Sequence, residues 1–312
     1  MNFTDSLDSC IQKNLSARNP YDPIKLAATT ENIVCKGEDR KYFGFWITPQ
    51  NYKVGVATGY TVGCCLKCVF CWASETRDDI EKSLGFYSPE EVFERLTDFV
   101  RQKRRLNRIR ISDGEPTIGK QHLIKLIELT ERSDITEFIL ETNGILLGYD
   151  SDYVKSLAQF KKLYVRLSLK AGTPEDFTRK TGAIPEAFEL QFQALRNLID
   201  YEINFGVAAM SADPRFMSPI ERISLIAKLA EIDPALVLKL EEEMAVLFPT
   251  TKKRLLASGW NLDGPHLPVL LRKISFLKRF VQFSYKPLRH VGCQKISLRY
   301  SVKAIRELFH GI

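Results

Sequence analysis

Histidine is scarce, with four residues in 312, which argues against a histidine-ligated metal enzyme. Neither a Ser-His-Asp arrangement nor a glycine-rich phosphate loop is present. No stretch approaches the ~18 consecutive apolar residues of a membrane span, and Met1-Asn2-Phe3-Thr4-Asp5 does not open a basic-then-apolar leader. A cytoplasmic protein without a membrane partner is therefore expected. A disulfide framework is also lacking: the seven cysteines are odd in number and four crowd into one loop, which points to a reducing compartment. Internal repeats and low-complexity segments are absent. The length suits a sizeable core, in one large α/β domain or two smaller ones.

Net positive charge is missing from most of the chain. The net charge is +7, yet residues 261–312 hold ten Lys or Arg against Asp263 and Glu307, so they contribute +8 and residues 1–260 sum to −1. A basic segment of this kind attracts nucleic acid or another polyanion; the plain alternative is a solvated surface.

What is present is concentrated. Residues 63–72 read Gly-Cys-Cys-Leu-Lys-Cys-Val-Phe-Cys-Trp, so Cys64, Cys68 and Cys71 form C-x3-C-x2-C within eight residues. Three thiolates on one short loop can wrap one face of a cubane iron–sulfur cluster. The fourth iron then has no protein ligand and is open to a small molecule that brings an amine and a carboxylate. A zinc loop is the alternative, and it needs a fourth ligand. Cys65 is adjacent to Cys64 and points elsewhere, and no His lies within the next fifty residues. Cys10, Cys35, Cys65 and Cys293 read as ordinary thiols.

Residues 1–40 show no strong periodicity, with a turn at Asn19-Pro20-Tyr21-Asp22-Pro23. Strands are then expected at Tyr42–Ile47 and, after a turn at Pro49-Gln50-Asn51, at Tyr52–Ala57, the latter as the first barrel strand. Ser88-Pro89-Glu90-Glu91 starts a helix with a capping box and an apolar face of Val92, Leu96, Phe99 and Val100. Strands at Arg108–Ser112, Glu137–Glu141, Leu163–Leu169, Asn204–Met210 and Leu236–Met244 alternate with helices through Leu123–Leu129 and at Tyr153–Phe160, Pro185–Asp200, Pro219–Glu231 and Thr250–Ser258. Six strands alternating with six helices predict a parallel sheet with helical crossovers. Six units rather than eight predict an open, partial barrel. In such folds the loops after the strands build the active site. The unusual residues sit there: the cysteine loop, Asp113-Gly114-Glu115-Pro116, Thr142-Asn143-Gly144 and Ser168-Leu169-Lys170.

With C-x3-C-x2-C closed by an aromatic-flanked cysteine, the sequence resembles the radical S-adenosylmethionine (SAM) enzymes. The resemblance implies an α/β fold, a partial (β/α)6 TIM-like barrel. It also implies a four-iron four-sulfur (4Fe-4S) cluster on Cys64, Cys68 and Cys71, SAM on the open iron, and Phe70 against the adenine. Asp113-Gly114-Glu115-Pro116 is similar to the family's Gly-Gly-Glu-Pro with Asp in place of the first glycine. There Gly114 lets the backbone approach a ligand and Glu115 accepts hydrogen bonds from the SAM ammonium. Ser168 and Lys170 match positions where glycyl-radical activating enzymes contact the ribose and the methionine carboxylate, with Ser in place of Asp; Thr142 and Asn143 are placed near SAM. Leu169–Gly182 is likewise similar to the activating enzymes. Cys68–Trp72 with Ser112–Thr117 is similar to the tRNA wyosine-base synthases instead.

The resemblance therefore implies an oxidoreductase that cleaves SAM reductively, with a low-potential electron donor as partner. The expected substrate is a protein or peptide, with an RNA base as the alternative; a zinc-stabilised, non-enzymatic RNA-binding module is the alternative from another class. No catalytic residue beyond the cluster ligands is assigned. The expected organisation is an N-terminal extension (1–40), the barrel (41–260) and a basic C-terminal segment (261–312).

Overall fold

Nine stretches pair into one sheet: β1 (Cys35–Lys36), β2 (Asp39–Thr48), β3 (Val56–Thr61), β4 (Gly85–Tyr87), β5 (Arg108–Ser112), β6 (Glu137–Thr142), β7 (Leu163–Leu169), β8 (Phe205–Ala209) and β9 (Glu241–Glu242). The computed structural model describes residues 19–48, 55–103, 105–245 and 247–262. The strand order is β1-β2-β3-β5-β6-β7-β8-β9, with β4 on β2. From β3 to β9 every pairing is parallel, and among the described residues the sheet ends at β9 without closing on β3. This is an open six-strand barrel with an antiparallel hairpin added at its first edge. Parallel strands place all their carboxyl ends on one rim.

Alternation along the strands decides which side chains face in. Ile109, Ile111, Phe138, Leu140, Val165 and Leu167 are buried in the apolar core. Their neighbours Arg110, Ser112, Ile139, Glu141, Arg166 and Ser168 line the barrel interior. The crossover helices close over the outer face. The helix Pro89–Gln102 starts as expected: the Ser88 hydroxyl accepts from the Glu91 N–H and the Glu91 carboxylate accepts from the Ser88 N–H. Lys120–Glu131, Phe188–Asp200, Pro219–Ile232 and Pro249–Ala257 also form where helices are expected.

Five stretches differ from expectation. The first barrel strand is not Tyr52–Ala57 but Val56–Thr61, and it runs straight into the cysteine loop. Leu236–Met244 is mostly not a strand: Pro234–Lys239 is a helix capped by the Asp233 carboxylate on the Ala235 N–H, and only Glu241–Glu242 pairs with β8. The turn at Asn19–Pro23 leads into a helix, Pro23–Val34, capped by Asp22. Pro174–Thr181 is a further helix, capped by Thr173 and ended by Gly182 in the left-handed region. The helix expected at Tyr153–Phe160 lies at Ser151–Leu157 and follows a short helix, Ile145–Tyr149. The Pro49–Asn51 turn, residues 1–18 and most of the basic segment (263–312) lie outside the described residues.

Beneath the hairpin, His122 is 2% exposed and held at both nitrogens. Nδ1 donates to the Glu38 carbonyl (2.7 Å), so Nε2 accepts from the Tyr42 hydroxyl (2.9 Å). Burial, with Arg40 nearby, lowers its pKa to about 4. The unfolded chain takes up this proton near pH 6.5 and the folded one does not, so the His122 contribution to stability is present above 6.5 and lost as pH falls toward 4. Between pH 7.5 and pH 5 the loss is about 2 kcal/mol. Asp113, whose pKa is raised, gives a slope of opposite sign. The measurement is therefore the difference between wild type and His122→Gln in urea unfolding at the two pH values. A difference that does not change with pH would contradict this assignment.

Candidate functional site

The cysteine loop leaves β3 at Gly63 and is held almost entirely through its backbone. The Gly63 N–H donates to the Thr76 carbonyl (2.8 Å), and the Gly63 carbonyl accepts from the Glu115 N–H (2.7 Å). The C-terminal end of the helix Pro174–Thr181 supplies acceptors further along. The Lys180 carbonyl takes the Val69 N–H (2.9 Å) and the Thr181 carbonyl takes the Lys67 N–H (3.2 Å). The Tyr21 hydroxyl joins them, accepting from the Lys67 N–H (2.8 Å) while donating to the Thr181 carbonyl (2.9 Å). Two arginines bind three of the loop's carbonyls: Arg77 donates to Cys68 O (2.8 Å), and Arg254 donates to Val69 O (2.9 Å) and to Cys71 O. A loop without regular structure is thereby fixed.

This fixing aims three thiols one way. Cys64, Cys68 and Cys71 line a cavity of about 940 Å³ at the barrel mouth, whereas Cys65 is fully buried away from it with its sulfur 3.3 Å from Asn143 Nδ2. The Cys64 thiol is pushed up by a hydrogen bond with the Cys65 thiol and by burial, Cys68 is pushed up by burial to about 12, and Cys71 is also raised by burial. Cations oppose this: Lys170 and Arg77 act on Cys68, and Arg77 and Arg254 on Cys71. Soft thiols with three cations behind them suit an anionic iron–sulfur cluster, whose thiolates these charges stabilise. Among the described residues, no three His, Cys, Asp or Glu side chains close on one metal-ion position. Ligands of a cubane each bind a different iron and stand farther apart.

The other expected residues gather on the same rim. Phe70, Gly114, Glu115, Thr142, Asn143, Ser168 and Lys170 all line the cavity. Two of them also serve the protein itself. Gly114 (φ 47°) is required where it stands, because a Cβ there would lie 2.4 Å from the Gly63 carbonyl oxygen. The Glu115 residue is 1% exposed and its carboxylate is largely engaged by the protein. Its Oε1 accepts from Thr117 N–H (3.2 Å), Thr117 Oγ1 (2.6 Å) and Thr142 Oγ1 (2.6 Å), and Oε2 accepts from Asn143 N–H (2.8 Å). About four acceptor sites exist on a carboxylate, so Glu115 ties strand ends together before it meets any ligand. Lys170 Nζ donates to Ser168 Oγ (2.7 Å), making those two a unit.

Three participants lie outside the motifs, and Asp113, inside one, was assigned no role. Gln191, fully buried on the helix Phe188–Asp200, donates to Asn143 O and Ser168 O and accepts from the Lys170 N–H, joining the ends of β6 and β7. Its signal was a polar residue on the inner face of an apolar helix. Arg77 and Arg254 carried no local signal. Asp113, in the left-handed region (φ 59°), is raised to about 7 by burial and by Glu141, against Arg110. Below the rim the interior is charged rather than apolar: Arg110 pairs with Glu141 (3.0 Å), and Arg166 reaches Glu241 (2.9 Å) and Glu243 (2.7 Å).

An open parallel barrel with a three-thiol loop at its carboxyl rim defines a class of enzyme. Residues 59–211, just under half of the chain, match the family model of the radical SAM superfamily, and this stretch is a radical SAM domain. No curated protein sequence matches. Streptococcus suis SuiB bound to S-adenosylmethionine is similar in fold, 16% identical over 75% of this chain and 49% of its own, with a TM-score of 0.53. A spore photoproduct lyase variant with bound AdoMet and dinucleoside spore photoproduct is 12% identical over 78% of this chain and 77% of its own, with a TM-score of 0.54. The anSMEcpe structure with bound AdoMet is 24% identical over 47% of this chain and 39% of its own, with a TM-score of 0.38. The chain thus spans less than half the length of SuiB and of anSMEcpe. Among the described residues, no helix is long and apolar enough to cross a membrane.

Proposed function

We propose that this chain holds a 4Fe-4S cluster on Cys64, Cys68 and Cys71 and binds SAM in the adjoining cavity. When bound and reduced by a low-potential donor, these groups supply a 5′-deoxyadenosyl radical for hydrogen abstraction. The observation that carries the reading is the convergence of the three cavity-lining thiols with Lys170, Arg77 and Arg254. Lys170 offers its ammonium, and Ser168 its hydroxyl, to the polar ends of SAM. Phe70, packed near Phe216 (centroids 6.3 Å apart), offers an apolar wall to the adenine. Thr142 and Asn143 shape the rim between them. The catalytic unit takes in the helix Pro23–Val34, whose Thr30 and Val34 pack on Gly63.

For the substrate we favour a protein or peptide segment over RNA. The cavity's inner lining carries Glu137, Glu141, Glu241, Glu242 and Glu243 against Arg108, Arg110 and Arg166, an excess of carboxylate that repels phosphodiesters. Exposed Trp72, Met244 and Phe248 also line the cavity and give an apolar side chain a place to rest. The basic residues 261–312 favour RNA as the second reading. It requires salt-sensitive RNA binding that weakens when that segment is removed.

The test is anaerobic reconstitution with iron and sulfide, then SAM and a strong reductant, with assay of 5′-deoxyadenosine. Wild type is expected to show cluster absorbance and product. Cys71→Ala is expected to lose both. Zinc bound without iron and sulfide, or product formation that survives Cys71→Ala, would overturn the reading.

A further inference from the structure

Arg254 reaches the cysteine loop from the far end of the described chain. It sits on the helix Pro249–Ala257, is 5% exposed, and its guanidinium straddles Phe70. Nε donates to the Val69 carbonyl (2.9 Å), and Nη2 donates to the carbonyl of Cys71, itself an expected cluster ligand. Thr251 Oγ1, from the same helix, also donates to Cys71 O (3.4 Å). Neutral donors suffice for neutral carbonyls, and the threonine shows one in use. A guanidinium adds a permanent charge, which is costly to bury. That charge acts on the Cys71 sulfur and favours its ionised form. The other two cations of the site are placed differently. Lys170 lines the cavity and is offered to SAM, and Arg77 arrives bound to Asp78 through Nε (2.8 Å) and Nη2, a pair of opposite charges.

We propose that Arg254 tunes the electron affinity of the cluster: its charge, held against the loop, makes one-electron reduction easier. The inference rests on the proposed 4Fe-4S site. In that step the low-potential donor loses one electron and the cluster gains it; no bond forms or breaks and no proton moves. The cluster then carries one more negative charge. Net charge and burial set the potential of such clusters, and a buried charge is screened far less than an exposed one. The cation therefore stabilises the reduced state more than the oxidised one. The hydrogen bonds of Arg254 hold the loop in both states; the charge is what distinguishes them.

The experiment is an EPR-monitored redox titration of reconstituted, SAM-free protein. It compares wild type with Arg254→Gln, which keeps a donor and loses the charge, and Arg254→Lys, which keeps the charge and loses the fork. Iron and sulfide content and the urea stability of each cluster-free protein are recorded alongside. The reduction equilibrium constant of Arg254→Gln is expected to fall on the order of tenfold, a midpoint about 59 mV more negative for one electron. Arg254→Lys should stay within about threefold of wild type. If Arg254→Gln holds no iron, Arg254→Lys must hold it at the wild-type level and midpoint for the inference to stand. Unchanged midpoints in both variants, equal shifts in both, or loss of iron from both would overturn this inference alone, because the charge would then have no effect of its own. A wild-type protein that takes up no iron and sulfide would overturn the proposed function, and this inference with it.

Discussion

Glu221→Gln is expected to lower the unfolding free energy by about 3–5 kcal/mol, the range for removing one partner of a buried ion pair. Lys180 and Glu221 have side-chain exposures of 1% and 2%, so neither charge has water to turn to. The Glu221 carboxylate also accepts the Gly172 N–H (2.9 Å). The glutamine leaves a lone ammonium in the interior, and the desolvation cost of that ion dominates. Burial already holds Lys180 below the usual lysine range. The deficit should therefore shrink as pH rises, since a neutral amine is less costly to bury. Urea titrations of the cluster-free protein at pH 7 and pH 9.5 measure both effects. A loss below about 1 kcal/mol, the range for exposed pairs, would contradict the buried pairing. The consequence reaches the site because the Lys180 and Thr181 carbonyls hold the cysteine loop.

Glu115→Gln is expected to destabilise the protein by roughly 2–4 kcal/mol with no cofactor present. Two of the donors facing Glu115 are backbone groups that cannot rotate: Thr117 N–H on Oε1 and Asn143 N–H on Oε2. An amide has one oxygen. Whichever way it is turned, its NH2 meets one of those two N–H groups. The hydroxyls of Thr117 and Thr142 can reorient, so they soften the change without removing it. The check is again urea unfolding of the cluster-free protein. Unchanged stability would mean that this carboxylate is spent on ligand rather than on fold.

Much of the barrel was legible because it is written locally. β5 and β7 fall at Arg108–Ser112 and Leu163–Leu169 as expected, and Ser88-Pro89 announces its helix. The same cap-plus-proline pattern opens three helices that periodicity did not suggest, at Asp22-Pro23, Thr173-Pro174 and Asp233-Pro234. Short or weakly striped segments hide their period, and the run Leu236-Val237-Leu238 reads equally as strand or helix. β3 gave no alternation because all six of its residues are buried. The thiol set was legible for the opposite reason, since its spacing lies within eight residues. Arg77, Gln191 and Arg254 were not, because tertiary structure alone brings them to the rim.

The clasp on the cysteine loop also bears on the order of assembly. Tyr21 meets Thr181 across 160 positions, and Arg254 meets Val69 across 185. Contacts so distant in sequence close late, because the loop-closure entropy must be met before they form. During N-to-C synthesis the loop's carbonyls cannot be fully engaged until residue 254 has left the ribosome. Until then the three thiols sit on an unfastened segment, open to solvent. Docking of the last described helix, Pro249–Ala257, is thus the event that fixes the spacing of the three thiols.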